Sequence, residues 1–141
     1  MLLDTTAAVR QYDLTWYTNT SILCGVDKPL IWLGASRAAL KEFPDDARQI
    51  AGFQLRRVQQ GLEPNDWKPM TAVGGGVKEI RIHTGLVEHR VLYLATFAEG
   101  VYVLHAFEKR TQKTPKRDVE LARERFRALI TKRRSQQSGA R

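Results

Sequence analysis

The chain has 141 residues, of which 43% are hydrophobic and 27% are charged, and its formal net charge is +8 at pH 7. This length suits one compact domain, and the composition excludes a fibrous or wholly disordered chain. No apolar run approaches the roughly 20 residues of a membrane-spanning helix, and no secretory signal pattern is present, so we expect a cytoplasmic protein without a membrane partner. The single cysteine, Cys24, has no neighbour at metal-ligand spacing, so no metal or other cofactor is expected.

The positive charge is concentrated near the C-terminus. Residues 108–134 hold eleven Lys and Arg against four Asp and Glu, a net charge of +7, whereas residues 28–107 carry ten basic and eight acidic residues. A Lys/Arg excess of this size favours phosphate-rich partners, because binding releases the counterions condensed on nucleic acid. The C-terminal part is therefore the first candidate for a nucleic-acid contact.

The sequence divides into three segments. Residues 1–27 show no sustained helical or strand period, so they are predicted to be a poorly ordered N-terminal extension; alternatively, the natural start lies near Val26. Residues 28–134 carry the regular patterns of one domain. Residues 135–141 are predicted to form a polar tail.

The first half of the domain predicts a strand followed by a helical hairpin. Residues 30–33 form an apolar run short enough for a buried strand. Ser36 is predicted to cap a helix that runs through Phe43, and Pro44 suits the first turn of a second helix. A loop is predicted over residues 62–69. The second helix is predicted to bury Ala47, Ile50, Ala51, Leu55 and Val58.

The second half predicts three strands over residues 77–84, 89–97 and 101–107. The links between them are short, so neighbouring strands must run antiparallel. In the first of these strands, Ile80 and Ile82 alternate with polar residues, which predicts one apolar and one charged face.

A final helix is predicted over residues 114–134, with Thr114 as its N-cap and Pro115 at its first position. Its apolar stripe faces the domain and its other face is basic. The element order predicts an α+β fold: a small antiparallel sheet with an N-terminal helical hairpin and a C-terminal helix.

Five stretches of the sequence resemble a known family. They are Pro29-Leu30-Ile31-Trp32-Leu33-Gly34, Glu42-Phe43-Pro44, Lys68-Pro69, Val77-Lys78-Glu79-Ile80-Arg81 and the segment from Tyr102 to Lys116, of which His105 to Pro115 is the most specific part. Together they resemble the phage-derived branch of the RelE/HigB-like toxins of type II toxin-antitoxin systems.

The resemblance implies a RelE-like, microbial-RNase-type fold and a metal-independent endoribonuclease. Such a toxin cleaves messenger RNA at the ribosome and so inhibits translation and growth. The implied partners are mRNA, the ribosome and a cognate antitoxin, a small helix-turn-helix protein encoded beside the toxin. The resemblance also implies a toxin-antitoxin hetero-oligomer that binds operator DNA.

Metal-free RNA cleavage needs a base, an acid and cations that stabilise the charge on the phosphoryl oxygens. Clustered Lys and Arg supply the cations, and a Lys whose pKa is lowered by burial and neighbouring charge can also move a proton. By resemblance, Arg90 matches a phosphate-stabilising arginine, and Lys109 and Lys113 fall in the basic segment after the last strand. The candidate catalytic residues are Arg81, Arg90, His105, Lys109 and Lys113, and the candidate RNA contacts are Lys68, Lys78, Phe107, Arg110, Lys116 and Arg117.

Several of these residues have a second interpretation. His105 is either a proton-transfer residue or a hydrogen-bonded core histidine, and Glu79 is either a general base or, as we favour, an ion-pair partner. His83 and His89 flank a turn and are predicted to be exposed polar residues. RelE-type sites often include a tyrosine in the final helical region, but none follows Tyr102 here. The acid and base roles therefore do not carry over.

Two other classes of function remain open. The chain could be a non-catalytic basic nucleic-acid-binding module, or a phage-derived regulator, whose C-terminal helix contacts phosphates without reading bases. It could also be an interaction protein whose basic helix binds an acidic partner. Nucleic-acid binding that weakens with salt separates the first of these from the second.

Overall fold

The computed structural model describes residues 27–85, 87–110 and 112–139. The predicted extension lies outside this part of the chain except for Asp27, and so does Cys24. None of the helices described here is long and apolar enough to cross a membrane. In chain order the elements are β1 (Leu30–Trp32), α1 (Ser36–Lys41), α2 (Asp45–Gln59), β2 (Trp67–Pro69), β3 (Val77–Thr84), β4 (Val87–Leu94), β5 (Val101–Lys109) and α3 (Lys116–Gly139).

The strands form one sheet in the order β1-β5-β4-β3-β2. β3, β4 and β5 pair antiparallel, as their short links require. β1 instead pairs parallel with β5, with Leu30 opposite Val101, which is possible because the helical hairpin and three strands separate the two in the chain. The α+β class is confirmed and the architecture is consistent with a RelE-like fold. The sheet is mixed, however, where the sequence predicts an antiparallel one.

The helical hairpin covers one face of the sheet. α2 buries Ala47, Ala51 and Leu55 completely, as its helical spacing predicts. These side chains share one buried cluster with the apolar residues of the strands. The cluster comprises Leu30, Leu40, Phe43, Ala47, Ala51, Leu55, Val58, Ile80, Ile82, Val91, Tyr93, Val101, Val103 and Ala106.

The C-terminal helix α3 belongs to a second buried cluster on the other face. Its Ala122 and Leu129 lie in this cluster with Leu92, Leu94 and Leu104 of the central strands. Three arginines of α3 also donate hydrogen bonds outside the helix, two to backbone carbonyls and one to a carboxylate. Some of the basic residues near the C-terminus therefore stabilise the fold. The pairs are Arg123 with Ala72, Arg125 with Leu104, and Arg133 with Glu99.

Both predicted helix caps are wrong. Ser36 lies inside α1, and its buried hydroxyl donates a hydrogen bond of 3.0 Å to the carbonyl of Val103. The carbonyl of Pro115 accepts the first hydrogen bonds of α3, so Thr114 precedes the cap position. The Thr114 hydroxyl donates instead to Glu79. In both places the hydroxyl donates to an acceptor that is distant in the sequence, and it does not cap the helix as the local sequence predicts.

Several element boundaries differ from the predicted ones. β4 ends at Leu94 and not at Phe97, and β5 continues to Lys109 and not only to Phe107. α1 ends at Lys41, two residues earlier than predicted. β2 occupies the end of a segment predicted as a loop, because three residues that include Pro69 show no strand periodicity. β4 begins at Val87 rather than at His89. α3 continues to Gly139 and thus includes most of the predicted polar tail.

Candidate functional site

A polar cleft lies on the sheet face that α3 partly covers. Lys68 of β2 directly opposes Glu79 of β3, and Arg81 of β3 directly opposes Arg90 of β4. Because Glu79 and Arg81 are two residues apart in a strand, both pairs lie on the same face. The cleft has a volume of about 680 Å³. Its walls are formed by Lys68, Arg81, Val87, Glu88, Arg90, Lys109, Arg110 and Gln112.

A buried carboxylate stands behind two of the lining cations. Glu79 has no exposed surface, and its Oε1 lies 3.4 Å from Nε of Arg90 and 3.8 Å from Nζ of Lys68. The Thr114 hydroxyl donates to Oε2 of Glu79 over 3.4 Å. The ion pair that we favour for Glu79 from the sequence is thus present, and the residue joins β2, β4 and the segment before α3.

Lys109, the last residue of β5, lines the cleft although only 7% of it is exposed. Burial lowers the pKa of Lys109, and the positive charges of Arg90 and Lys68 lower it further. Glu79 and Glu88 oppose this effect. A lysine with a lowered pKa exchanges a proton closer to neutral pH than an exposed lysine does.

Arg90 keeps hydrogen-bond donors for a ligand. Its Nη2 lies 2.6 Å from Oε1 of Glu88, and this hydrogen bond lowers the pKa of Glu88. Nη1 of Arg90 is buried and has no hydrogen-bond partner in the described part of the chain, whereas Nε faces Oε1 of Glu79 at 3.4 Å. A guanidinium with buried, unpartnered N–H groups is suited to an oxyanion such as phosphate.

A chain of charged side chains continues from Glu88 along the cleft. Oε2 of Glu88 lies 3.2 Å from Nδ1 of His83, and Nε2 of His83 lies 2.9 Å from Oδ2 of Asp66. Arg81 donates from Nε to Oδ1 of Asp66, also over 2.9 Å. Although burial opposes it, the hydrogen bonds from His83 and Arg81 hold the pKa of Asp66 below its usual value. These contacts fix the direction of the Arg81 side chain.

The structure places His105 outside the lining of the cleft. Its Nε2 lies 2.7 Å from Oδ1 of Asp118, and its ring stacks on Phe107 at a centroid distance of 5.1 Å. Burial lowers the pKa of His105, although Asp118 opposes this. The environment is that of the hydrogen-bonded buried histidine. Phe107 is only 8% exposed, so little of its ring is open to an RNA base.

The other candidate RNA contacts separate into two groups. Lys78 alternates with Glu79 and therefore lies on the opposite sheet face, where its Nζ is 2.9 Å from Glu63 and 4.5 Å from the ring centroid of Trp67. It does not join the cleft. The exposed candidates that follow β5 are the RNA contacts Arg110, Lys116 and Arg117 and the catalytic candidate Lys113. Of these four, Arg110 is among the residues that line the cleft and Lys113 is not.

The prediction that His89 is exposed is wrong. His89 is only 2% exposed, and its ring centroid lies 4.4 Å from that of Phe43. Burial lowers its pKa. Because β4 begins two residues earlier than predicted, His89 falls on the face that the hairpin covers. His83 is exposed, as predicted.

Three residues of the site are missing from the sequence-based candidates: Glu88, Asp66 and Gln112. Glu88 could have been found, because it stands two residues before Arg90 and strand alternation puts both on one face. Asp66 and Gln112 come from irregular segments, and nothing in their local sequence indicates the contacts that they make.

The cleft brings five cations, Lys68, Arg81, Arg90, Lys109 and Arg110, around one open volume. Such a site favours an anionic ligand with several acceptor oxygens. No group of three or more potential metal ligands occurs among the residues that the structure describes. The arrangement can therefore hold a phosphodiester and place one lysine of lowered pKa beside it.

The fold and the cleft define a small α+β protein with a RelE-like architecture and a basic, phosphate-suited site. A comparison with known protein families shows the family to which the chain belongs. The family described as Phage derived protein Gp49-like (DUF891) matches residues 38–127, which include the whole cleft, and the chain belongs to this family. The family is associated with toxin-antitoxin systems. No curated protein matches the chain.

Proposed function

We propose that the chain is the toxin of a type II toxin-antitoxin system and a metal-independent endoribonuclease that cuts messenger RNA at the ribosome. Membership of the Gp49-like family supports the toxin role, and the resemblance to RelE/HigB-like toxins supports the reaction. The observation that carries the proposal is the buried Lys109 beside Arg90 and Lys68 in an open basic cleft.

In the proposed reaction the 2′-oxygen of a nucleotide attacks the adjacent phosphorus. The bond from phosphorus to the 2′-oxygen forms while the bond to the 5′-oxygen breaks, which leaves a 2′,3′-cyclic phosphate and a 5′-hydroxyl end. The 2′-hydroxyl proton must be accepted, and the leaving oxygen must receive a proton. Neither transfer needs a metal or an oxidant.

The cations of the cleft suit the phosphate. The unpartnered Nη1 donor of Arg90 is the best-placed group for its non-bridging oxygens. Lys68 and Arg81 add positive charge on the same sheet face. Fixed charges of this kind stabilise the transition state because they need no reorganisation when negative charge develops there.

Lys109 is the proposed proton-transfer residue. Burial and the neighbouring cations lower its pKa, and this is the direction that proton transfer near neutral pH requires. His105 is paired with Asp118 and lies away from the cleft lining, so it is not the first choice for this role.

A cognate antitoxin is the proposed partner, a small helix-turn-helix protein that covers the cleft, and the resulting complex is proposed to bind operator DNA. The five lining cations favour an acidic antitoxin segment over a neutral one. Co-expression of an adjacent helix-turn-helix gene should restore growth to cells that produce the toxin. Failure of every adjacent gene to do so would remove the antitoxin part of the proposal.

The test is induced expression in a bacterial host, with growth followed and new mRNA 5′ ends mapped. The wild type is compared with the double variant Lys109→Ala/Lys113→Ala. Arg127→Ala/Lys132→Ala is the matched control, because it removes the same charge from exposed positions of α3. We expect growth arrest and new 5′ ends with the wild type and the control, and neither with the Lys109→Ala/Lys113→Ala variant.

Soluble, folded wild-type protein that causes no arrest and creates no new ends would overturn the endoribonuclease proposal. Salt-sensitive binding to nucleic acid in that case would favour the non-catalytic binding module. Arrest without new ends would point to a toxin that acts by another reaction.

A further inference from the structure

Glu79 is a carboxylate in an unusual place. It has no exposed surface, yet it stands in the middle of β3 on the sheet face that forms the cleft. Removing a carboxylate from water costs several kcal/mol unless partners compensate. A carboxylate that serves only to keep the surface soluble would not occupy this buried position. The role of Glu79 is therefore indicated by the groups that it contacts.

The partners of Glu79 come from three separate segments around the cleft. Arg90 of β4 lies 3.4 Å from Oε1, Lys68 of β2 lies 3.8 Å from the same oxygen, and the hydroxyl of Thr114 lies 3.4 Å from Oε2. Thr114 belongs to the segment between Lys109 and α3. The buried carboxylate of Glu79 thus contacts two cations that line the cleft, Arg90 and Lys68, and the segment that follows the third, Lys109.

We propose that Glu79 is a positioning residue, which holds Arg90 and Lys68 toward the phosphate and sets the electrostatic environment of Lys109. This inference rests on the proposed function. Glu79 is fully buried behind the two cations and is not among the residues that line the cleft, so it acts through them and not on the RNA.

The negative charge of Glu79 also acts on Lys109. Glu79 raises the pKa of Lys109, whereas Arg90 and Lys68 lower it. Replacing Glu79 by glutamine keeps the shape of the side chain but removes the anion. The pKa of Lys109 should then fall further, since the two cations act without their counter-charge.

The experiment compares wild type, Glu79→Gln and Glu79→Asp in single-turnover cleavage of an RNA oligonucleotide across pH. Binding is measured with the same oligonucleotide carrying a 2′-deoxy nucleotide at the cleaved position. Glu63→Gln is the control, because it removes a carboxylate paired with Lys78 on the opposite sheet face. Thr114→Val removes only the loop contact and keeps the anion.

For Glu79→Gln we expect the cleavage rate to fall by about 10-fold to 100-fold, while oligonucleotide binding changes by less than about 3-fold. The limb of the pH profile that reports Lys109 should move to lower pH. Glu79→Asp should recover part of the rate, Thr114→Val should lose less than Glu79→Gln, and Glu63→Gln should match the wild type.

Two results would overturn the inference while the proposed function stands. The first is a folded Glu79→Gln protein with an unchanged rate and pH profile. The second is a pH profile of Glu79→Gln that lacks the acidic limb of the wild type while the limb that reports Lys109 does not move. That result is expected if Glu79 is itself the general base.

A wild type that cleaves no RNA would refute the proposed function instead. The inference then still has its own readout, which is titration of Lys109 by NMR of labelled lysine side chains. An equal Lys109 pKa in wild type and Glu79→Gln would overturn it, and a lower value in the variant would support it.

Discussion

His105 of β5 and Asp118 of α3 are joined by a contact of 2.7 Å between Nε2 and Oδ1, and both residues are less than one-tenth exposed. Asp118 lies in the first turn of α3, where its charge also complements the positive end of the helix dipole. The pair therefore fixes the beginning of α3 against β5. The beginning of α3 directly follows the segment that contains Gln112, which lines the cleft, and Thr114, which contacts Glu79.

Removing Asp118 should destabilise the protein. Asp118→Ala leaves the buried His105 nitrogen without its partner, and we expect the free energy of unfolding to fall by about 1–3 kcal/mol. Urea denaturation measures this change. Glu124→Ala removes an exposed carboxylate from the same helix and should change the stability by less than about 0.5 kcal/mol. Equal stabilities for Asp118→Ala and Glu124→Ala would contradict the structural role of the pair.

The two buried histidines should make stability decline from about pH 7 to pH 5. Burial lowers the folded-state pKa of His105 and His89 below the ordinary value of 6.5. The unfolded chain then binds more protons than the folded chain in this window. The histidine contribution is therefore fully present above the unfolded pKa and is lost as the pH falls toward the folded pKa. Asp66 and Glu88, whose pKa values are lowered, act only at more acidic pH.

Denaturation of the wild type and of His89→Asn/His105→Asn at several pH values tests this dependence. The double variant should be less stable at pH 7 but should show a flatter pH dependence, because it lacks the two groups that take up protons on unfolding. A slope equal to that of the wild type would assign the decline to other groups.

Strand periodicity was enough to predict much of the cleft. Alternation in β3 puts Glu79 and Arg81 on one face, and the short link to β4 brings Arg90 opposite Arg81. Lys109 ends β5, two residues beyond the predicted end of that strand. The positions of Glu79, Arg81 and Arg90 follow from side-chain alternation and a short link, and both can be read directly from the sequence.

The remainder of the site depends on tertiary contacts. Lys68 reaches Glu79 only because β2 pairs with β3, and the three residues of β2 have no readable period. Complete burial of Glu79 depends on segments that are distant in sequence. The basic character of α3 was also misleading in part, because Arg123 and Arg125 donate to backbone carbonyls and so secure the helix.

Gly100 should be required for docking of β1. A Cβ at this position would lie 2.9 Å from the backbone oxygen of Pro29 and 2.7 Å from Cδ1 of Ile31. That same oxygen accepts the hydrogen bond of 2.8 Å from Val101. Gly100→Ala must therefore displace β1, and we expect a loss of about 1–3 kcal/mol in the free energy of unfolding.

Gly75→Ala is the control for this prediction, because a Cβ there meets nothing within 4 Å. Thermal and urea denaturation of both variants measure the difference. A Gly100→Ala protein as stable as the Gly75→Ala protein would mean that β1 shifts at no cost and contributes little to the sheet.

Lys109→Arg separates proton transfer from positive charge at the cleft. Arginine keeps the charge, but its pKa is too high for it to give up a proton near neutral pH. If Lys109 moves a proton, single-turnover RNA cleavage should fall by about 10²-fold to 10⁴-fold, while binding of a non-cleavable oligonucleotide changes by less than about 3-fold. Lys132→Arg, at an exposed position of α3, should cleave at the wild-type rate. Wild-type cleavage by Lys109→Arg would show that Lys109 contributes only charge and would overturn its proton-transfer role.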